Sequence, residues 1–565
     1  MIPLISIIRK GSFIGLVILS VAGLVQAQGV PGRYTALYDY LQSNLDSYET
    51  FLDTLVPAAK RSVVFATELL AANGNRGADL LQPNVMDTVK RSLDRFQEIG
   101  IKGVTVAVGY PLFDPNFPRH NDYVTFFQSV AEEVHRRGLK LDIECALAVA
   151  NTPAATFTWD WSGYTIESLA AAKHAMLEII LTQIQPDYLN LGCEPSTDAQ
   201  LTSIQTLNDP QTYAHFVELQ VQGLNKGSTL VGAGASAWEK TTIASLIADI
   251  PELDTLTFHI YPLDPTSQQN SIELADIART HGKRLVLDEA WLHKLLPSED
   301  KGISAISDNL KRDSYSFFAP LDQQFLRCIT KLVQIDGVEY LSPFSSNLFF
   351  AYLNYSDALD AESYSQVATQ LNQAVSAAMK TDTWSSTGDF MKALIVQYPG
   401  PLTADFTFVP DNPTDAEPVT FTAEASGGTA PYSFSWDLCG SVAASDSVTQ
   451  TLPAGDCTAT LKVTDATGAT ASLSQTVAVS YSATITSVTG LFNFSSLQII
   501  GSGFERGCTV TVGGMSVPRT TFKSGTQVNA NGGRALRAMI PQGVTVQIQV
   551  LNPDGGRSAA FAFTR

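Results

Sequence analysis

Cysteine is scarce in this chain, with six residues among 565. So few cysteines exclude a small scaffold that depends on disulfides. Cys439 and Cys457 are the candidate pair, because both fall in one small predicted β domain, and Cys145, Cys193 and Cys328 are expected to be buried thiols. No spacing of cysteine and histidine suggests a metal site, and we expect neither a metal nor a cofactor.

Positive charge is also scarce. Lysine and arginine number 36 against 55 aspartate and glutamate residues, which gives a net charge of −19. No basic stripe is visible, which argues against a nucleic acid or an anionic membrane as the partner. This balance suits a neutral or weakly charged substrate, and we expect a monomer.

Long apolar runs are missing except at the N-terminus. Arg9 and Lys10 precede an apolar run over residues 13–25, and Val-Gln-Ala at 25–27 resembles a cleavage site. Residues 1–27 are therefore predicted to be an export signal, so the mature protein would be secreted or held at the cell surface. The alternative is an N-terminal membrane anchor, but the run is shorter than the about 20 residues that a span needs.

An alternation of strands and helices fills residues 28–397. Eight short apolar runs, the first at 62–67 and the last at 337–343, are separated by segments with helical periodicity. Such alternation requires a parallel sheet with right-handed crossovers, and eight units fit a (β/α)8 barrel. The alternative is an open doubly wound sheet, but no Gly-x-Gly-x-x-Gly follows the first strand.

Beyond residue 401 the pattern changes to short alternating runs between Gly, Pro, Asn and Asp clusters, as in β-sandwiches. Residues 402–480 contain Ala-Pro-Tyr-Ser-Phe-Ser-Trp-Asp at 430–437, which resembles the core strand of PKD-type immunoglobulin-like domains. Residues 484–565 resemble an IPT/TIG domain, through runs such as Leu-Gln-Ile-Ile-Gly-Ser-Gly-Phe at 497–504. We therefore predict two immunoglobulin-like sandwiches after the barrel.

Two glutamates occupy matching places in the predicted barrel. Glu194 ends the apolar run of the fourth strand, where Pro195 stops the ladder, and Glu289 ends the run of the seventh. Catalytic groups of such barrels project from the C-terminal strand ends. Two carboxyl groups facing one pocket are the parts that a β-glycosidase needs.

This arrangement resembles the clan A glycoside hydrolases, which include many cellulases, mannanases and galactanases. The resemblance implies that Glu194 is the acid/base and Glu289 the nucleophile of a retaining mechanism. It also implies a raised pKa for Glu194 and a mildly acidic pH optimum. The usual Asn before the fourth-strand glutamate is replaced by Cys193, a weak hydrogen-bond donor.

A third motif, His259-Ile-Tyr261, ends the sixth strand. In the clan such a tyrosine lies beside the nucleophile, so the Tyr261 hydroxyl is expected to donate to Glu289. Both His259 and Tyr261 are predicted to contact the substrate site. A buried core histidine is the alternative for His259.

Three further residues are predicted to line the substrate cleft. Trp291 and Tyr110 could stack on sugar rings at the barrel mouth, although loop packing is the alternative for each. Glu68 follows the first strand and could face the cleft, or it could be an ordinary loop charge.

The sequence as a whole therefore favours a secreted retaining glycoside hydrolase that acts on a β-linked polysaccharide. A non-catalytic surface or adhesion protein, in which a degenerate barrel only binds glycan, is the alternative that Cys193 keeps open. A metal-dependent hydrolase would need His-x-His ligands, which are missing from the expected places.

Overall fold

A computed structural model describes residues 28–55, 63–152, 155–261, 264–398 and 402–565. The predicted export signal, residues 1–27, lies outside the described residues. Across the described ranges, no helix has both the length and the apolar character that crossing a bilayer would take.

Eight parallel strands close into a barrel in sequence order, with β1 paired to both β2 and β8. The fold is therefore a (β/α)8 barrel, as predicted. The strands are β1 (Val64–Glu68), β2 (Gly103–Ala107), β3 (Lys140–Glu144), β4 (Tyr188–Asn190), β5 (Leu230–Gly234), β6 (Thr255–Ile260), β7 (Arg284–Ala290) and β8 (Tyr340–Pro343).

The barrel strands are buried on both faces, since β1, β4, β6 and β8 have no exposed residue. This explains why they appear in the sequence as continuous apolar runs rather than as alternating ones. Val64, Tyr188 and Tyr340 pack together near the N-terminal ends of their strands. Packed side chains therefore close the N-terminal end of the barrel, below its opposite, C-terminal end.

Thirteen helices accompany the barrel in the described residues. They are α1 (Thr35–Asp53), α2 (Val85–Glu98), α3 (His120–His135), α4 (Ile166–Ile179), α5 (Pro195–Thr202), α6 (Pro210–Val221), α7 (Thr241–Ala248), α8 (Pro265–Thr280), α9 (Ile306–Asp313), α10 (Ala319–Asp336), α11 (Asp357–Asp360), α12 (Tyr364–Lys380) and α13 (Ser386–Gln397).

Two helix starts show how local chemistry sets these boundaries. Asp209 and Asp264 each accept a hydrogen bond from a backbone N–H of the first turn, and each is followed by a proline at the first helical position. The α8 helix begins at Pro265, earlier than the periodicity from Ser271 onward indicates. The aspartate–proline pair, not the apolar spacing, marks its start.

Residues 402–480 form a sandwich of two antiparallel sheets, ordered β13-β10-β9 and β12-β11-β14-β15. Trp436 is fully buried in its core, and its indole N–H donates to the Ser445 carbonyl. The predicted Cys439–Cys457 disulfide is confirmed. The strands are β9 (Thr403–Val409), β10 (Pro418–Ser426), β11 (Ser433–Leu438), β12 (Ser441–Ala443), β13 (Ser447–Thr451), β14 (Gly455–Thr464) and β15 (Thr470–Val479).

A second sandwich occupies residues 484–565, with sheets ordered β16-β17-β21-β20 and β19-β18-β22-β23. It also contains one short helix, α14 (Gly533–Met539), which the strand-like pattern did not predict. Its assignment to the IPT/TIG class, like that of its neighbour to the PKD class, stays a prediction. The strands are β16 (Thr484–Leu491), β17 (Ser496–Ser502), β18 (Thr509–Val512), β19 (Met515–Ser516), β20 (Arg519–Ser524), β21 (Gln527–Asn531), β22 (Thr545–Leu551) and β23 (Phe561–Thr564).

Candidate active site

A cavity of about 570 Å³ opens at the C-terminal ends of the barrel strands. Its lining includes Glu144 from β3, Glu194 from the segment after β4, Tyr261 from the end of β6, and Glu289 with Trp291 from the end of β7. The two predicted catalytic glutamates therefore face one open cavity. This is the end of the barrel at which such folds carry their active sites.

Glu194 is placed by a turn after β4. Regular pairing ends at Asn190, but Leu191 N–H still donates to Gly232 and the Cys193 carbonyl accepts from Ser236 N–H. Gly192 lies between them with φ of 128°, which an L side chain rarely adopts. Glu194 then caps α5, whose first residue is proline.

Glu289 is placed by an irregularity in β7. Phe258 of β6 pairs with Leu287, but the next residue, His259, pairs with Glu289, so Asp288 is an extra residue in the ladder. Such bulges change the direction of the side chains that follow them. Asp288 is buried, and its carboxylate accepts a 2.6 Å hydrogen bond from the Asn190 amide. Asp288 therefore has a structural partner inside the barrel.

The two glutamates are joined by a short polar chain. The Tyr261 hydroxyl donates to Glu289 Oε1 over 2.5 Å, so the expected contact is present. His259 Nδ1 lies 2.7 Å from Glu194 Oε1, and Tyr261 Oη lies 3.4 Å from the same nitrogen. The Tyr261 hydroxyl oxygen and His259 Nδ1 are thus the two polar atoms that link Glu289 Oε1 to Glu194 Oε1.

His259 lies behind Glu194 and is not among the residues that line the cavity, contrary to its predicted contact with substrate. Its side chain is 1% exposed, and Nε2 is 3.3 Å from Asp288 Oδ1. Burial by itself lowers the pKa of His259, but Cys193 and Asp288 raise it well above the ordinary value. Burial raises the pKa of Cys193 to about 12, so Asp288, with Oδ1 3.3 Å from Nε2, is the partner that favours a charged imidazole.

The charge on Glu194 differs from the expectation. Burial would raise its pKa, but the hydrogen bond and charge of His259, with the hydrogen bond from Thr197, lower it below the ordinary value. In the free protein Glu194 is thus ionised, not protonated. The physical reason is the imidazolium that stands 2.7 Å away.

Glu289 shows the opposite shift. Burial raises the pKa of Glu289 to about 7, and the negative charges of Glu194 and Asp288 add to this, against the charge of His259 and the hydrogen bond from Tyr261. One buried carboxyl group is therefore held ionised while its neighbour takes a proton near neutrality. Separated pKa values of this kind are what acid–base pairs require.

An aromatic wall borders Glu289. Trp238, which the sequence reading missed, stacks on Tyr261 with 4.5 Å between ring centroids. Trp291 packs edge-on against Tyr261 and against the unpredicted His293. The Trp291 indole N–H donates to Asp313, so the ring is fixed where it borders the cavity. Trp238 follows the β5 end by only four residues, a position that would have been a usable signal.

A buried lysine pairs with the aspartate that holds the Trp291 ring in place. Lys294 Nζ is 0% exposed and pairs with Asp313 at 2.5 Å and with Asp322 at 2.7 Å. Asp313 thus holds Lys294 and the Trp291 indole together. Both carboxylates would be uncompensated without that ammonium group.

Two predicted cleft residues lie elsewhere. Tyr110 is fully buried, and its hydroxyl contacts Asp114 and Tyr164, each at 2.7 Å, within an aromatic cluster outside the cavity lining. Glu68 is also buried, and it accepts a hydrogen bond from Asn73, which lines the cavity in its place. Both side chains are buried outside the cavity lining, where neighbouring side chains bond to their polar atoms.

In the part of the chain that the structure describes, two sets of side chains bring metal-ligand atoms within 4.8 Å of one another, namely Cys193, His259 and Asp288, and Glu144, His259 and Glu289. Both sets depend on His259. Its Nδ1 is already hydrogen-bonded to Glu194 Oε1.

No known protein family's profile matches the chain. No curated protein matches it either. Among solved structures, the chain resembles an endo-β-1,4-mannanase from Thermotoga petrophila, with 11% identity over 74% of this chain and 98% of that one, and a TM-score of 0.34.

Two further solved structures are similar. A GH5_18 protein from Bifidobacterium longum subsp. longum shows 10% identity over 60% of this chain and 79% of that one, with a TM-score of 0.42. A tri-modular GH5 endo-β-1,4-glucanase from Bacillus licheniformis shows 12% identity over 92% and 99%, with a TM-score of 0.35. Because each TM-score lies below 0.5, we draw no conclusion about function from these likenesses.

Proposed function

We propose that this protein is a glycoside hydrolase that cleaves β-linked glycans with Glu194 and Glu289, in the manner of the clan A enzymes that its sequence motifs resemble. One observation carries the proposal. Two buried carboxyl groups, at the ends of β4 and β7, face one cavity and are linked through His259 and Tyr261 by hydrogen bonds. Glycosidic cleavage needs two carboxyl groups across one pocket, one to move a proton and one to attack the anomeric carbon.

Glu289 is proposed as the nucleophile. Its Oε1 accepts the Tyr261 hydroxyl, which stabilises the carboxylate that must attack the anomeric carbon. With a pKa of about 7, this group becomes ionised as the pH rises through neutrality. Activity should therefore rise over the same range.

Glu194 is proposed as the acid/base, with its proton supplied by His259. In the free protein the proton is on the imidazole, which is hydrogen-bonded to Glu194. Transfer across that one bond leaves His259 neutral and gives Glu194 the proton that the leaving-group oxygen needs. Water then cleaves the glycosyl-enzyme, Glu194 takes up the water's proton, and it can return that proton to His259.

A non-catalytic glycan-binding protein is the second candidate function, and Cys193 is the observation that favours it. Cys193 stands where the clan usually has an asparagine that contacts the sugar, and its thiol is a poor donor. In that case the cavity would bind oligosaccharides and release no product.

A reducing-sugar assay on β-glucans, mannans, xylans and galactans separates the two candidates. We expect release by the wild-type chain, and release at about a hundredth of that rate or less by Glu194→Gln or Glu289→Gln. Binding without release by the wild type would reject the hydrolase proposal. NMR of the first product would show the β-anomer if configuration is retained.

The catalytic roles have their own test. With an activated aryl glycoside, azide should rescue a Glu194→Ala variant and give a glycosyl azide of retained configuration. The same rescue of Glu289→Ala should give the inverted azide. The opposite pattern would exchange the two roles.

We also propose that the protein acts outside the cell, in keeping with the predicted export signal, and that the sandwiches are accessory modules. Fractionation of producing cells, with N-terminal sequencing of the mature chain, tests the signal. A mature chain that begins near Gln28 is the expected result.

A further inference from the structure

A second cavity of about 520 Å³ adjoins the first. Five described residues line both cavities, so the two lie side by side: Asn73, Asn75, Val149, Ile306 and Phe344. A single sugar fills only part of this space. The two cavities together have the volume for a chain of several sugars.

The second cavity differs in charge from the first. Arg76 and Arg91 both line it, whereas Asp313, its one lining carboxylate among the described residues, is already occupied by Lys294 and by the Trp291 indole. The first cavity is lined by several carboxyl groups, Asp264 and Asp300 in addition to the catalytic pair. In a chain with a net charge of −19, this change of sign over one cleft is unusual.

Neither arginine has an acidic partner. Within the described ranges, no carboxylate lies within ion-pair distance of either guanidinium. Arg76 donates to the Ala71 carbonyl, and Asp79 acts on it only from a longer range. Arginine presents a planar fork of donors that suits carboxylate and sulfate groups. Two guanidinium groups with free N–H donors beside the second cavity therefore indicate an anionic ligand.

Several polar groups in an otherwise largely apolar lining suit a sugar. Asn347, Asn372, Ser346 and Thr88 offer amides and hydroxyls to this cavity, and Phe344 offers an aromatic ring at the junction with the first. We propose that the second cavity is a subsite for a sugar that carries an anionic group, a carboxylate or a sulfate. This deepens the proposed hydrolase function and rests on it, and it replaces the neutral substrate that the net charge favoured.

Binding to the Glu289→Gln variant of the full chain tests the inference without turnover. The probes are β-1,4-gluco- and β-1,4-mannohexaoses, each as the neutral form, the form oxidised at C6 to a uronate, and the 6-O-sulfated form. By calorimetry we expect one anionic form to bind about tenfold more tightly than its neutral counterpart, as a charged hydrogen bond allows. Comparing the affinity of the uronate form with that of the sulfated form shows which anionic group is recognised.

The arginines are then changed in the same background. In Arg91→Gln and Arg76→Gln, the ratio of anionic to neutral affinity should fall toward one, and Arg91→Lys should keep part of it. Arg534→Gln, an exposed change in the last sandwich, is the matched control and should keep the full ratio. Because Arg76 also holds a backbone carbonyl, Arg91 is the decisive position, and circular dichroism checks folding in both.

The inference is overturned if no anionic form binds better than its neutral counterpart, or if Arg91→Gln leaves the preference intact. Its failure is distinguishable from that of the hydrolase proposal. A wild-type chain that binds the anionic probes but never cleaves them rejects hydrolysis and retains the subsite. A wild-type chain that cleaves neutral glycans and shows no preference for anionic ones retains the hydrolase proposal and rejects the subsite.

Discussion

Tyr261→Phe should move the acid side of the pH–activity profile upward. The variant removes one hydroxyl, the donor at 2.5 Å from Glu289 Oε1, and keeps the ring that stacks on Trp238. Glu289 must be ionised to act as a nucleophile, so activity rises as the pH passes through its pKa. For the wild type that pKa is about 7, which places the rising limb near neutrality rather than in the mildly acidic range that the sequence resemblance implied.

The size of the shift follows from the hydrogen bond that is lost. A bond to a charged acceptor contributes about 1.5–3 kcal/mol, which corresponds to roughly 1–2 pKa units. The other groups that face Glu289 remain in the variant, and they are Glu68, Glu144, Glu194, His259 and Asp288. We therefore expect the rising limb to move to about pH 8–9, with the maximal rate also reduced.

The assay is kcat/KM against pH on a chromogenic glycoside between pH 4 and 10. The falling limb, set by loss of the proton that His259 and Glu194 share, should lie well above the ordinary histidine pKa in the wild type. Tyr481→Phe, in the half-exposed segment between the sandwiches, is the control and should not move either limb. A rising limb that stays in place, or moves downward, in Tyr261→Phe would refute the assignment of Glu289 as the ionising nucleophile.

Three further predictions concern the catalytic pair, the buried lysine and the disulfide. Glu194→Gln and Glu289→Gln should each lower kcat by about a hundredfold or more while the oligosaccharide dissociation constant by calorimetry changes little. Lys294→Met should lower the free energy of unfolding by about 3–5 kcal/mol in urea titrations, because it leaves two buried carboxylates unpaired; a change below about 1 kcal/mol would contradict the pairing. Replacing Cys439 and Cys457 by serine should destabilise the first sandwich by about 3 kcal/mol, since the bond closes a loop of 18 residues; an unchanged melting transition for that domain would be the contrary result.

The barrel was predictable because its signals are local. Each strand is a continuous apolar run, and the runs alternate with helical periodicity, so topology follows from a few general rules. The places of Glu194 and Glu289 at two strand ends were predictable for the same reason. The start of α8 at Pro265 was missed because its apolar spacing is weak and only the cap marks it.

The protonation pattern of the site was not predictable. Whether Glu194 holds a proton depends on His259, which is distant in sequence and comes within 2.7 Å of it because only β5 lies between β4 and β6 in the closed barrel. The inward or outward direction of Glu68 and Tyr110 likewise depends on which partners the folded chain brings near them.

The sequence by itself determined the order of domains, the closed barrel and the two strand ends that carry the carboxyl groups, because hydrophobic period and turn chemistry act between neighbours in the chain. Only the tertiary structure decided which carboxyl group is ionised, which aromatic rings border the cavity, and that two arginines without acidic partners share the cleft. These properties arise from desolvation and charge–charge distance, which exist only once remote segments have packed together.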